Sequence, residues 1–278
     1  MDILTITLVV LAIPIGVLIG LGAGVIGLTA WPLLVPLLLV FGGIPLHEAL
    51  LSSLLVDLAV AIVLSIFYIR SQEVDVDDVY GLKLGGAAGV VAVVTAILAF
   101  PLLEQYSGLF ERSSSIVTLV FGSMFIIQAI RMDNSVGTQS ERSSQQLTQL
   151  SNTQKDIIAY SFCIFQGFIT GLIAIGGAMN IVLVLMFLLG YPTLRAVGTA
   201  MIATTIMLSM TVTAYLLLLH FNVSTLPIVA LYIIIGVMCS RLAVARVQNI
   251  SERKLRFTIG IVILTAAIFA TAQVYLLG

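Results

Sequence analysis

The sequence predicts an all-α integral membrane protein, an inverted 5+5 helix repeat with glycine-rich intramembrane joins. Three observations carry that prediction. The chain of 278 residues is 60% hydrophobic and only 9% charged. A soluble domain carries about 25% charged residues, so a fold of this size cannot hide so much apolar surface from water. Ten apolar segments follow one another, and one glycine/proline pattern punctuates them twice. Gly20, Gly24, Gly43, Pro45, Ala49 and Ser52 recur as Gly167, Gly171, Gly190, Pro192, Ala196 and Thr199, each pair 147 residues apart. Tyr68 with Tyr215 and Gly89 with Gly236 keep the same spacing. A membrane chain built from two copies of one interrupted-helix unit is the usual sequence sign of a transporter.

The third observation is the placement of basic residues. The first repeat, 1–131, is predicted to hold helices at 3–27, 31–42, 46–70, 78–103 and 113–131. The second, 156–278, holds them at 156–175, 178–190, 193–220, 225–246 and 254–277. The segments run well past ten residues without period-two alternation, so they read as helices and not as barrel strands. Five crossings per repeat make the second copy enter the membrane from the opposite side. Under that topology Arg70, Arg131, Arg142, Lys155, Arg195, Arg246, Arg253, Lys254 and Arg256 share one face, and Arg112 stands on the other. The positive-inside rule makes the basic face cytoplasmic. The expectation is a multi-pass protein of the plasma (inner) membrane with both termini outside. The Ser/Gln/Asn/Thr-rich stretch 132–155 becomes a polar cytoplasmic linker; a regulatory binding loop is the sharper alternative for it. No basic residue precedes Arg70, so the first segment lacks the charged start of a signal peptide and is read as a permanent helix.

Segments 31–42 and 178–190 are short. Twelve or thirteen helical residues span about 20 Å against a hydrocarbon core of about 30 Å. They must tilt, or join their neighbours at a turn inside the membrane. The joins Gly22–Ala30 and Ala174–Asn180 fit the second option, because irregular backbone at depth survives only where protein or a water-filled cavity satisfies it.

Several residues at these joins are candidates for binding, each with a plainer reading beside it. Gly22, Gly24 and Gly27 spell a dinucleotide-type glycine pattern, but no βαβ unit surrounds them and no acid follows about 20 residues on. Close helix packing through Gly16, Gly20 and Gly24 is the plain alternative to a backbone-lined anion site. Pro45 and Pro192 open helices, whose free N–H groups and positive dipole ends suit a small oxyanion. The predicted substrate-binding set is Gly24, Gly27, Thr29, Ser52, Ser53, Gly176, Gly177, Asn180 and Thr199. Asp57 is an acid in the middle of segment 46–70, one turn after Ser53, with Thr204 at the same place in the second repeat. An ionisable group at that depth is a functional candidate, so Asp57 and Thr204 are assigned to proton coupling or gating. The plain alternative is an Asp that holds two helices together. Arg195 is a candidate for attracting an anion at the cytoplasmic mouth, with interfacial snorkelling the alternative. Trp31 reads as an interfacial anchor or as a lid over the join. Glu73, Asp75, Asp77 and Asp78 read as a solvated loop, and Asn222 and Ser224 as a glycosylation triplet too close to the bilayer to serve.

Catalysis and cofactors find no support. There is no nucleophile–base–acid set and no phosphate loop, and His47 with Glu48 is not a zinc motif. Cys163 and Cys239 lie in apolar segments as small hydrophobes. A net charge of −1 gives no reason to expect nucleic acid.

The residues Gly20 to Gly27 with Pro32, Pro36, Gly43, Pro45, Ala49, Ser52 and Ser53, and Gly167 to Gly177 with Gly190, Pro192, Ala196, Gly198 and Thr199, make the chain resemble the sulfite exporter TauE/SafE family of membrane permeases. The resemblance covers both repeats. It implies movement of sulfite, an organosulfonate or a related small anion. Together with the joins it gives a secondary transporter working by alternating access, with the anion, protons and lipid as its partners. A passive anion channel and a non-transporting membrane scaffold are the alternatives.

Overall fold

The computed structural model describes residues 3–71, 79–105, 151–189, 191, 193–219 and 225–245, with single positions at 123, 127, 257, 261, 264 and 268. Every secondary-structure element among them is helical: α1 (Ile3–Ile26), α2 (Trp31–Gly42), α3 (Leu46–Arg70), α4 (Val79–Gln105), α5 (Asn152–Ile173), α6 (Ala178–Phe187), α7 (Thr193–Leu218) and α8 (Leu226–Ala245). Apart from those single positions, predicted helices 113–131 and 254–277 lie outside the described residues, as do the acidic run from Glu73 to Asp78, Gly190, Pro192, His220, Asn222, Ser224 and most of the linker. The linker ends earlier than predicted. Ser151 caps α5 through a capping box with Gln154, so residues 152–155 are already helical. Its hydroxyl accepts the Gln154 N–H while the Gln154 side chain accepts the Ser151 N–H, satisfying two orphan donors at once.

Six helices, α1, α3, α4, α5, α7 and α8, are long and apolar enough to cross a bilayer. Their outer faces carry bare apolar side chains, such as Leu217 at 83% and Leu98 at 69% exposure, which only a hydrocarbon surrounding accommodates without cost. The chain is a multi-pass membrane protein. With 12 and 10 residues, α2 and α6 fall well short of the core thickness.

The 147-residue spacing is repeated in the hydrogen bonds. Tyr68 donates its hydroxyl to the Gly24 carbonyl at 3.3 Å, and Tyr215 donates to Gly171 at 3.1 Å. The Gly27 N–H reaches Ala23 and the Ala174 N–H reaches Thr170, closing the ends of α1 and α5 alike. Both closing residues are left-handed, with φ of 72° at Gly27 and 57° at Ala174. Further on, the Ile44 N–H bonds Leu38 and the Tyr191 N–H bonds Leu185, a matching bond after both short helices, although α6 stops at Phe187 and α2 runs to Gly42.

Helix pairing crosses between the halves: α1 packs on α8, α5 on α4, and α3 on α7. Small residues set the closeness. A Cβ on Gly20 would meet the Gly236 carbonyl, one on Gly24 the Ala243 side chain and Ser240 carbonyl, and one on Gly171 the Ala92 carbonyl. Without hydrophobic exclusion to drive helices together in lipid, such backbone contact supplies the dispersion that holds them.

Candidate functional site

Both joins are turns between a long helix and a short one, and they touch. The Gly27 carbonyl accepts the N–H of Met179 at 3.0 Å. A Cβ at Gly27 would lie 2.9 Å from that same nitrogen and 3.1 Å from the Ala178 Cβ. Glycine is therefore required twice there, for its left-handed φ and for the approach of the other join.

Asp57 stands beside this contact. It is 8% exposed on α3. Its Oδ2 accepts the Thr29 hydroxyl at 2.5 Å and its Oδ1 accepts the Ala30 N–H at 2.6 Å. Thr29 Oγ1 in turn accepts the Trp31 N–H at 3.3 Å. The carboxylate thus caps the N-terminus of α2 from another helix, where the exposed amides and the dipole favour an anion. On its far side, a Cβ at Gly176 would stand 3.2 Å from Oδ2, so the Asp57 carboxylate lies against the second join as well. The helix N-termini that reach the joins are those of α2 and α6. The starts of α3 and α7, marked by Pro45 and Pro192 in the sequence, are not the ones: Asp57 is eleven residues into α3, about 16 Å along its axis.

A cavity of about 20 Å³ opens between the joins, lined by Ala23, Gly27, Leu28, Thr29, Asp57, Val60, Ala61, Gly176, Gly177, Ala178, Met201 and Thr204. That is room for about one water. Of the predicted residues it gathers Gly27, Thr29, Gly176, Gly177, Asp57 and Thr204. Thr204, from α7, is 3% exposed and its hydroxyl has no hydrogen-bond partner. No other charged side chain among the described residues lines the cavity.

The remaining predicted residues fall elsewhere. Gly24 serves helix packing, because its open side faces Ala243 and Ser240 on α8. Ser52 is fully buried and donates to the Glu48 carbonyl of its own helix at 2.7 Å. Ser53 is buried with an unpartnered hydroxyl but does not line the cavity, and neither does the buried Thr199. Asn180 donates its Nδ2 to Gln166 Oε1 at 2.8 Å. Arg195 is exposed and stacks 4.7 Å over the Tyr191 ring. Trp31 is 2% exposed, which excludes an interfacial anchor, and its indole N–H has no partner.

Gln166 and Thr170 were not among the predicted residues. Gln166 Nε2 donates to the Ile175 carbonyl at 3.2 Å, and Thr170 Oγ1 to the same carbonyl at 2.7 Å. With Asn180 they tie the second join to its own helix α5. The signal was present as an amide in the middle of an apolar span, one turn before a Thr. Among the described residues no group of His, Cys, Asp or Glu side chains fits a metal ion. A larger groove of about 470 Å³ between α4 and α7 is polar only at Ser209 and Thr213. Both of those hydroxyls donate to carbonyls of their own helix, so the groove offers no group to recognise a ligand.

No curated protein and no solved structure matches the chain. A family model described as "Sulfite exporter TauE/SafE" matches residues 12–270. That span takes in both joins, Asp57, Thr204 and every residue that lines the cavity between them, and the chain belongs to the sulfite exporter TauE/SafE family, membrane transporters and not enzymes.

Proposed function

We propose that this protein is a secondary transporter that carries a small sulfur-containing anion, sulfite or an organosulfonate, out of the cell by alternating access. The observation that carries the reading is the meeting of two glycine turns around a buried carboxylate, in a chain of this family. Discontinuous helices whose ends face one point are how secondary transporters hold ions near the midplane. The two halves act as an inverted repeat, with both termini outside, the linker from 132 up to the cap of α5 in the cytoplasm and the plasma membrane as the site of action. The space between the joins admits about one water, so a substrate passes only when the joins separate. Supporting that, the bridge from Gly27 to Met179 is a single hydrogen bond, and one such bond contributes only about 1 kcal/mol net. Asp57 is the coupling group, taking up and releasing a proton as access alternates. Arg195 at the cytoplasmic mouth draws anions to the entrance.

Flux through proteoliposomes tests this. Uptake of sulfite should saturate and should be driven uphill by an imposed pH gradient. Flux that rises linearly with concentration and never runs uphill would identify a channel instead, and the absence of any selective anion flux would leave a scaffold.

A further inference from the structure

The two joins open on the same left-handed turn but differ in backbone at the helix start and in chemistry. In the first, every donor at the start of α2 is occupied. The Ala30 N–H goes to Asp57, the Trp31 N–H to Thr29, and the Leu33 N–H to the Ala30 carbonyl, while Pro32 has no N–H to give. The Asp57 carboxylate is itself the anion on that helix terminus. In the second join the corresponding positions, 147 residues on, change the outcome. Thr29 becomes Gly176, Pro32 becomes Met179 and Asp57 becomes Thr204. No side chain caps α6, and Met179 has the N–H that proline lacks. Thr204 lines the cavity with a hydroxyl that is buried and unpartnered, which is costly unless something accepts or donates there.

We propose that a substrate oxyanion binds in the second join, on the α6 N-terminus and the Thr204 hydroxyl, and that the Asp57 carboxylate in the matching place of the first join excludes it while charged. The proposal rests on the reading of the chain as an anion transporter and gives that site its polarity. The first join supplies the precedent within the same molecule: carboxylate oxygens seated on one amide at a short helix's start and on a threonine hydroxyl. Room for one oxygen exists between the joins. A whole anion enters when they part, which releases the Met179 N–H from Gly27 as a further donor. Asp57 Oδ2 sits 3.2 Å from where a Gly176 Cβ would be, so the substrate and a charged Asp57 become close neighbours. Two unit charges about 4 Å apart in such a site repel enough to weaken binding by about a thousandfold. Proton uptake by Asp57 therefore precedes anion binding, and one proton accompanies each anion.

No other group that lines the cavity offers that proton: of the titratable groups on α3 itself, His47, Glu48, Tyr68 and Arg70 do not line it. Of the helices packed on α3, α1 and α2 present no titratable side chain among the described residues. On α7, Tyr215 is bonded to Gly171 and Arg195 is exposed. On α8, Tyr232 is bonded to Leu8, Cys239 lies against Gly20 and Arg241 is exposed. None of these lines the cavity.

The test is calorimetric titration of the full-length protein in lipid nanodiscs with methanesulfonate and, in parallel, sulfite, from mildly acidic to mildly alkaline pH. Wild-type affinity should fall about tenfold per pH unit once pH passes the titration of Asp57, the slope of one linked proton. Asp57→Asn should bind methanesulfonate, which keeps one charge throughout that range, without that slope; any slope left with sulfite in this variant belongs to the probe's own second ionisation. Thr204→Val should weaken binding about tenfold or more at every pH, the loss of one hydrogen bond to a charged group, and Thr204→Ser should restore it. Should Asp57→Asn not fold, the wild-type slope for methanesulfonate and the Val/Ser pair decide. Wild-type-like affinity in Thr204→Val, or an unchanged slope in Asp57→Asn, overturns the assignment and leaves the transporter reading standing. Failure of the wild-type protein to bind either probe at any pH removes both.

Discussion

Where α1 meets α2, the turn is gripped from outside, by an Asp57 carboxylate on α3 that takes the Thr29 hydroxyl and the Ala30 amide. Where α5 meets α6, the turn is gripped from within its own hairpin, by Gln166, Thr170 and Asn180. The residues in the first half that correspond to those three are Ile19, Ala23 and Leu33, which have no polar group to offer. Both turns nevertheless open on a left-handed residue at the same place, and they part only at the short helices' starts, where Ala30 is right-handed and Gly177 extended. A repeated fold thus fixes where a turn goes, while the side chains decide what it answers to. The first join is tied to a charge that can be neutralised. The second is tied to amides and a hydroxyl that cannot, so the coupling proposed above places any response to protons at the first.

The largest effect that would sharpen this comparison comes from the left-handed positions. Gly27→Ala should destabilise the protein by about 2 kcal/mol or more, because a Cβ there is both in a disfavoured φ and against Met179. Ala174→Gly, at the same place in the second half, should stabilise by up to about 1 kcal/mol. Thermal unfolding in detergent reads both, and equal signs would mean that the two turns are not equivalent. Next comes the grip itself. Gln166→Leu strips the Asn180 amide and one donor to Ile175, and should cost about 1–3 kcal/mol of stability. It should leave the pH dependence of sulfite flux intact, whereas Asp57→Asn should flatten that dependence at a smaller stability cost. A reversed pattern breaks the assignment of the charge-sensitive join to the first half.

Tyr68→Phe and Tyr215→Phe remove matching hydrogen bonds, to Gly24 and Gly171. Each should cost about 1 kcal/mol, and a difference between them larger than that value would argue against equivalent packing. The smallest effect is expected at Ser53→Ala, within about half a kcal/mol of wild type, because the hydroxyl lost there is buried and without a partner. A clear loss of sulfite binding in that variant would instead extend the binding surface towards the start of α3.

Much of the architecture was legible in the sequence. The boundaries of α2 and α3 agree with prediction to the residue, because glycine and proline leave little choice about where helices stop and start. The joins were legible for the same reason. Gly27, Gly176 and Gly177, expected at the joins, line the cavity between them. Asp57 was legible because an acid at that depth needs a reason. Its actual partners were not, since the Thr29 hydroxyl and the Ala30 amide lie 28 and 27 residues away and only the folding of α2 against α3 joins them. Gly24 was misassigned because glycine packs helices and lines sites with the same lack of a side chain. The choice depends on which helix stands opposite.

The sequence alone determined that this chain is a membrane protein, where its glycine/proline pattern recurs 147 residues on, and which acid lies deep in an apolar segment. Composition, spacing and the conformational limits of glycine and proline are local properties that require no partner to be read. Only the tertiary structure decided that the two interruptions touch through Gly27 and Met179, that Asp57 caps the first short helix, and that Thr204 faces the space left at the second. Hydrogen bonds and close backbone approach between helices far apart in the chain depend on rotation and register, which an apolar segment leaves open until its neighbours pack against it.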